Sequence, residues 1–127
     1  MTLIVRSESP TTDRSTVWLE GRLDAATFAA FDEAMRDITP LVDNGGTLVI
    51  DLSALEYISS AGLRSLAQLR KQMHDREGRT LLLNPQPQVK KVFDIVKAVP
   101  VAEVFANVTE LDLYLDHMQR QMTAPEG

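Results

Sequence analysis

Hydrophobic and polar positions follow two different periods along the chain, and the changes between them mark out strands and helices. Residues 3–7 and 16–20 are rich in β-branched and aromatic side chains, and the turn-forming residues between them indicate a hairpin. Near-continuous apolar runs at 47–52 and 80–83 are typical of strands buried on both faces. A fifth short strand is predicted at 103–106.

Segments with helical periodicity separate these strands and predict four helices. Asp24 precedes the first and is expected to be its N-cap, accepting a backbone N–H that the first turn leaves unpaired. The second is expected from about Ser60 to Glu77, after a loop at 53–59, and the third opens at Pro85 and Pro87. The apolar stripes consist of Phe28, Phe31, Met35, Ile38 and Val42, then Leu63, Leu66, Leu69 and Met73, then Val89, Val92, Phe93 and Val96, and finally Leu111, Leu115, Met118 and Met122.

The order of these elements, ββαβαβαβα, predicts the α/β fold class. Strands that alternate with helices imply crossover connections and a largely parallel sheet, which the opening hairpin makes mixed. The length of 127 residues fits one domain, predicted at 1–122. Residues 123–127, which include Pro125 and Gly127, are expected to form a frayed tail.

Composition and charge narrow the possible functions. The chain has 13 basic and 18 acidic residues, and this net charge of −5 disfavours direct binding to nucleic acid. It has no cysteine, which excludes disulfides, thiol nucleophiles and thiolate metal sites. No signal-peptide pattern and no run of about 18 apolar residues is found, so we expect a cytoplasmic protein without membrane insertion.

The sequence offers no catalytic constellation. Ile58 stands two residues before Ser60, where the nucleophile elbow of a serine hydrolase requires glycine. His74 and His117 lie on polar helix segments without the spacing of a metal site, and no P-loop sequence is present. We therefore expect no enzyme activity, no metal and no cofactor.

The most informative stretch runs from Asp51 to Leu63 and leads from a buried strand onto a helix. Partners of open α/β sheets bind at the carboxyl ends of strands. Small residues at 59–62 would let another molecule approach the backbone, and the start of a helix favours an anion. A phosphate on Ser60 would be tolerated there, yet it would oppose any partner that buries it. The alternative is that Ser59 or Ser60 only caps the helix.

Several motifs in the same region resemble the STAS domain family (sulfate transporter and anti-sigma factor antagonist), in particular its free-standing anti-sigma factor antagonists. These are V-W-L-E-G-R-L-D at 17–24, the strand at 48–52 and Y-I-S-S-A-G-L at 57–63. The segment with Pro87, Val89, Phe93 and Ile95 is similar to the third helix region of the family. The similarity extends over about residues 3 to 115, nearly the whole chain.

The resemblance implies regulation of transcription by partner switching. Ser60 would be phosphorylated by a partner that is both serine kinase and anti-sigma factor, and a serine phosphatase of the PP2C type would reset it. Many family members carry aspartate before the phosphorylated serine, whereas this chain has Ser59, which stays the alternative acceptor. The implied partner-binding residues are Asp24, Ser59, Ser60, Ala61, Gly62 and Leu63.

Two other functions remain open at this point. A STAS subunit that is never phosphorylated could serve as a scaffold in a transporter complex or a larger signalling assembly, as the replacement of the usual aspartate by Ser59 suggests. A small-ligand-binding domain is the third possibility, which the modest core disfavours.

Overall fold

A mixed four-stranded sheet forms the centre of the computed structural model, which describes residues 2–98 and 101–124, with only the backbone at 101 and 102. Its strands are β1 (Leu3–Thr11), β2 (Arg14–Leu23), β3 (Thr47–Ile58) and β4 (Arg79–Leu83), in the order β1-β2-β3-β4. The hairpin strands β1 and β2 are antiparallel, whereas β2, β3 and β4 are parallel to one another. The predicted fold class is confirmed.

The four predicted helices are present, with one addition; the first two connect strands, and the others follow β4. They are α1 (Phe28–Ile38), α2 (Ser60–Asp75), α3 (Pro87–Ala98), the single turn α4 (Val101–Val104) and α5 (Val108–Thr123). A 3₁₀ turn at Thr39–Leu41 follows α1. No helix of the described ranges is both long and apolar enough to cross a bilayer. Residues 125–127 of the predicted tail lie outside the described residues.

The predicted fifth strand at 103–106 is wrong. The helix α4 covers its first half, and among the described residues the sheet ends at β4. Val104 is 54% exposed, while Phe105 packs its ring on that of Tyr114 in α5. A short apolar run has no period that separates a strand from a helix, and here local packing on α5 decides the outcome.

The strand β3 is longer than predicted, because it continues through the expected loop at 53–59 as far as Ile58. Its partner β2 also runs on, so that Gly21 pairs with Leu55 and Leu23 with Ile58. β3 is buried on both faces over much of its length, and it leads directly to the start of α2. The candidate site thus begins on a rigid central strand instead of a loop.

The core lies where α1, α2, α3 and α5 pack around β2 and β3. β2 buries alternate side chains and leaves those between them half exposed, as expected for a strand with one covered face. The largest fully buried side chains are Phe31, Leu19, Leu23, Leu48, Ile50, Leu52, Leu55, Ile58, Met73, Leu115, Gln119 and Val17.

Candidate functional site

The predicted site residues meet at the carboxyl ends of β2 and β3. The backbone N–H of Ser59 donates to the carbonyl of Leu23 at 3.0 Å, which joins the end of one strand to the exit of the other. Asp24 follows Leu23, and α2 begins at Ser60. We call residues 58–63 the β3–α2 junction. The structure thus brings Asp24 and the junction together at one edge of the sheet.

Ser59 has the position of an N-cap but not its function. Its extended backbone (φ −103°, ψ 178°) suits a cap, yet its side chain makes no capping hydrogen bond. The residue is 6% exposed, and its Oγ has no hydrogen-bond partner within the described part of the chain. The interpretation of Ser59 as a capping residue is therefore wrong, and its hydroxyl faces the interior.

Ser60 is half-buried and bound by a carboxylate that comes from the far end of the chain. Its hydroxyl donates to Oδ2 of Asp112 in α5 at 2.7 Å, and its backbone N–H donates to Oδ1 of the same residue at 2.8 Å. A carboxylate is favoured there by the free N–H groups and the dipole of the helix start. Asp112 therefore caps α2 from a distance of 52 residues in sequence.

Asp24 shapes the turn between β2 and α1. It does not cap α1, because that helix begins at Phe28 and Thr27 stands in the N-cap position. The Asp24 carboxylate accepts the backbone N–H of Ala26 at 3.0 Å and Nε of Arg22 at 3.3 Å. The N-cap prediction for Asp24 was wrong because a turn of three residues separates Asp24 from the helix.

The other junction residues differ in burial: Gly62 is buried, whereas Ala61 and Leu63 are partly exposed. Gly62 is buried against Leu23, so close that a Cβ at position 62 would stand 2.6 Å from the Leu23 carbonyl oxygen. Ala61 and Leu63 are half-buried, and Leu63 packs against the core. Because Ser59 and Gly62 are buried, Ser60 and Ala61 are the small residues of the junction that a partner protein can contact.

Side-chain amides that the sequence analysis missed hold the free edge of β3. β4 pairs with β3 only as far as Asp51, so the rest of β3 needs other partners on that side. Gln119 in α5 is 1% exposed, accepts the N–H of Ile58 at 3.1 Å and donates to its carbonyl at 2.8 Å. Gln88 and Gln86 donate to the carbonyls of Glu56 and Ser53, both at 2.9 Å. Position 119 lies four residues after Leu115, so helical spacing predicts that Gln119 is buried. No neighbouring residue indicates that its partner is Ile58.

Tyr57, next to the last residue of β3, lies between Arg22 and Asp116. The guanidinium of Arg22 lies 3.7 Å from the centre of its ring, a cation–π contact. Burial, followed by the charge and hydrogen bond of Asp116, raises the pKa of the Tyr57 hydroxyl to about 12. The hydroxyl therefore stays protonated near neutral pH and serves as a hydrogen-bond donor.

The hydrogen-bond partner of the Ser60 hydroxyl differs from that of a serine nucleophile in a catalytic triad. The Ser60 hydroxyl donates a hydrogen bond to the Asp112 carboxylate, whereas the serine of a Ser-His-Asp triad is paired with an imidazole that removes its proton. Within the described ranges, no group of three or more potential His, Asp or Glu ligands is placed to hold a metal ion. The reachable features are a hydroxyl, small side chains and carboxylates at the start of a helix.

Two curated proteins are similar in sequence to part of this chain. BtrV of Bordetella bronchiseptica, a proposed anti-sigma factor antagonist, is 40% identical over 60 residues, which cover 46% of this chain and 52% of BtrV. The anti-sigma-F factor antagonist RsfB of Mycobacterium tuberculosis is 47% identical over 47 residues, 37% of either chain. The chain thus spans about half the length of BtrV, and less of RsfB.

Solved structures show the same fold. SpoIIAA of Bacillus, an anti-sigma factor antagonist, superimposes in its unphosphorylated form with a TM-score of 0.57 and 23% identity over 72% of this chain and 83% of SpoIIAA. Its phosphorylated form gives a TM-score of 0.59, at the same identity and over 73% and 83% of the two chains. The family model of the STAS domain matches residues 8–111, well over half of the sequence. The chain belongs to the STAS domain family.

Proposed function

We propose that this chain is an anti-sigma factor antagonist that acts as a binding protein and not as an enzyme. In its unmodified state it binds an anti-sigma factor that is also a serine kinase, and the bound sigma factor is released. The observation that carries the proposal is the half-buried, uncharged hydroxyl of Ser60 at the start of α2, within the segment that resembles the antagonists. The relatives named above, which are antagonists by name, support the same function.

Burial favours Ser60 over Ser59 as the residue that the kinase modifies. The Ser59 hydroxyl is enclosed by the chain, so a kinase would have to unfold the junction to reach it. Ser60 is half-buried, and among the described residues its hydroxyl makes one side-chain hydrogen bond, to Asp112. Local rearrangement of one side chain is therefore enough to present Ser60 to a kinase.

The modification changes the charge of the surface that the partner covers. Oγ of Ser60 forms a bond to the γ-phosphorus of ATP, the bond from that phosphorus to the β–γ bridging oxygen breaks, ADP leaves and the kinase takes the hydroxyl proton. The product carries a charge of roughly −1.5 to −2 at neutral pH. Its desolvation in an interface is costly, so the modified protein is released. A PP2C-type phosphatase restores the hydroxyl by hydrolysis.

The proposed partner surface is centred on Ser60 and Ala61, with Asp24 and the exposed side of Leu63 around them. Ser59 and Gly62 support this surface from beneath, since both are buried. A protein that releases a sigma factor from its anti-sigma factor works where transcription occurs. We therefore propose a cytoplasmic location.

Phosphorylation of Ser60 can be measured directly. We expect the cognate anti-sigma kinase and ATP to add one phosphate to the wild-type protein, detected by intact-mass spectrometry, and Ser60→Ala to abolish it. Ser59→Ala is the matched control, because it removes the neighbouring hydroxyl and leaves Ser60 in place. It should be modified at the wild-type rate.

Two results would contradict the proposal. Ser60→Ala could accept phosphate as fast as the wild type, which would exclude Ser60 as the acceptor. Alternatively, the protein isolated from cells could carry no phosphate under any growth condition and copurify with a transporter subunit, which is the behaviour of a scaffold.

A further inference from the structure

The helix α5 is tied to the β3–α2 junction at two points about two helical turns apart. Near its start, Asp112 binds the N–H and the hydroxyl of Ser60. Further along, the amide of Gln119 binds both backbone groups of Ile58. The second attachment is independent of side-chain hydroxyls, whereas the first depends on the Ser60 O–H. A chemical change at Ser60 therefore affects one attachment and spares the other.

A phosphate on Ser60 would compete with Asp112 for the same place. Esterified Oγ has no proton to donate, so the 2.7 Å hydrogen bond to Asp112 is lost. The phosphate oxygens would stand beside the carboxylate, and two anions at such a distance repel each other. The phosphate can also accept the Ser60 N–H, which is now held by Asp112.

Asp112 forms no ion pair among the described residues, so no basic side chain holds it in place. The ion pairs in this part of the chain involve Asp24, Asp75, Asp94 and Asp116, and Asp112 is not among them. Arg64, one turn along α2, lines the same surface pocket as Ser60, where it can attract the phosphate, but it is not paired with Asp112. The carboxylate is therefore the group that can leave, since the phosphate is fixed to Ser60 by a covalent bond.

We propose that Asp112 is a positioning residue that couples the chemical state of Ser60 to the position of α5. It holds the unmodified hydroxyl, and phosphorylation expels it, so that the first turns of α5 leave the start of α2 while Gln119 keeps the rest of the helix attached. Leu113, which is 67% exposed, moves with Asp112. The modification thus changes the shape of the surface beside Ser60 as well as its charge. This inference rests on the proposed function in taking Ser60 as the phosphorylated residue.

Hydrogen exchange tests the coupling on the intact chain. The probe is full-length protein with phosphoserine incorporated genetically at position 60, compared with the unmodified protein. We expect amides of residues 108–114 to exchange at least about tenfold faster in the phosphorylated form, the change expected from losing one local stabilising contact of about 1.4 kcal/mol. Amides of β3 should exchange at unchanged rates. Equal rates at 108–114 in both forms would overturn the inference.

A double-mutant cycle tests whether Asp112 is the residue responsible. Ser60→Asp places a carboxylate beside Asp112 and should lower Tm by about 4 °C. In an Asp112→Asn background, where the repulsion is absent, the same substitution should lower Tm by less than about 1 °C. Asp116→Asn is the matched control, because Asp116 lies one turn further along α5 and pairs with Arg120 at 2.8 Å. It should leave the 4 °C effect intact.

The outcomes separate this inference from the proposed function. An equal drop in Tm in all three backgrounds would reject Asp112 as the coupling residue, whatever the kinase does. If phosphoserine at position 60 abolishes partner binding while exchange in α5 is unchanged, the switch stands and the coupling fails. If Ser60 is never phosphorylated by its partner, the proposed function fails. The double-mutant cycle on purified variants still measures the interaction between positions 60 and 112.

Discussion

Replacing Gln119 with alanine is expected to lower the free energy of unfolding by about 3 kcal/mol, because two buried backbone groups lose their partners and each costs roughly 1–3 kcal/mol. Both groups belong to Ile58, the last residue of β3. The loss therefore weakens the strand end that supports Ser60 as well as the attachment of α5. Urea unfolding followed by circular dichroism measures the change.

The matched control for this prediction is Gln121→Ala. Gln121 lies on the same helix and is exposed, so its replacement should change stability by less than about 0.5 kcal/mol. If both alanine variants were equally stable, Gln119 would not be the group that satisfies Ile58, and the description of the β3 edge would be wrong.

Gly62→Ala is expected to destabilise the protein by about 3 kcal/mol, against the usual preference of helices for alanine over glycine by about 1 kcal/mol. The added Cβ would lie 2.6 Å from the backbone oxygen of Leu23, and 2.8 Å and 2.9 Å from the Leu23 and Ile58 side chains. The backbone cannot yield without moving α2 away from β2. The start of α2 would shift, and with it the Ser60 hydroxyl.

Ala67→Gly gives the complementary measurement on the same helix. Ala67 is exposed near the middle of α2, so this change should cost only the helix propensity of about 1 kcal/mol. Thermal and urea unfolding of both variants compare the two effects. A Gly62→Ala protein as stable as the wild type would show that α2 does not need the close approach to Leu23.

Periodicity predicted most of the fold because each main element buries a continuous stripe. Phe31, Met35 and Ile38 recur at helical spacing and are all buried, and the apolar run that opens β3 is buried on both faces. The predictions fail where burial depends on distant partners. β3 continues to Ile58 because β2 pairs with it over that length. The segment around Val104 is too exposed to form a buried strand.

The candidate site was predictable only in its local part. The motif at 57–63 indicates the small residues and the serines, but it gives no sign that Ser59 points inward while Ser60 meets α5. Asp112 and Gln119 are polar residues on a helix whose clearest sequence pattern is its apolar stripe. Their partners lie 52 and 61 residues away, a separation at which one sequence carries no contact information.

The most direct test of this account is a calorimetric titration of the anti-sigma factor with two forms of the protein, unmodified and carrying phosphoserine at position 60. The unmodified form should bind, and the phosphorylated form should bind at least about 30-fold more weakly, because an uncompensated charge buried in an interface costs roughly 2 kcal/mol or more. Equal affinities for the two forms would mean that binding does not depend on the charge at Ser60, and would contradict the account.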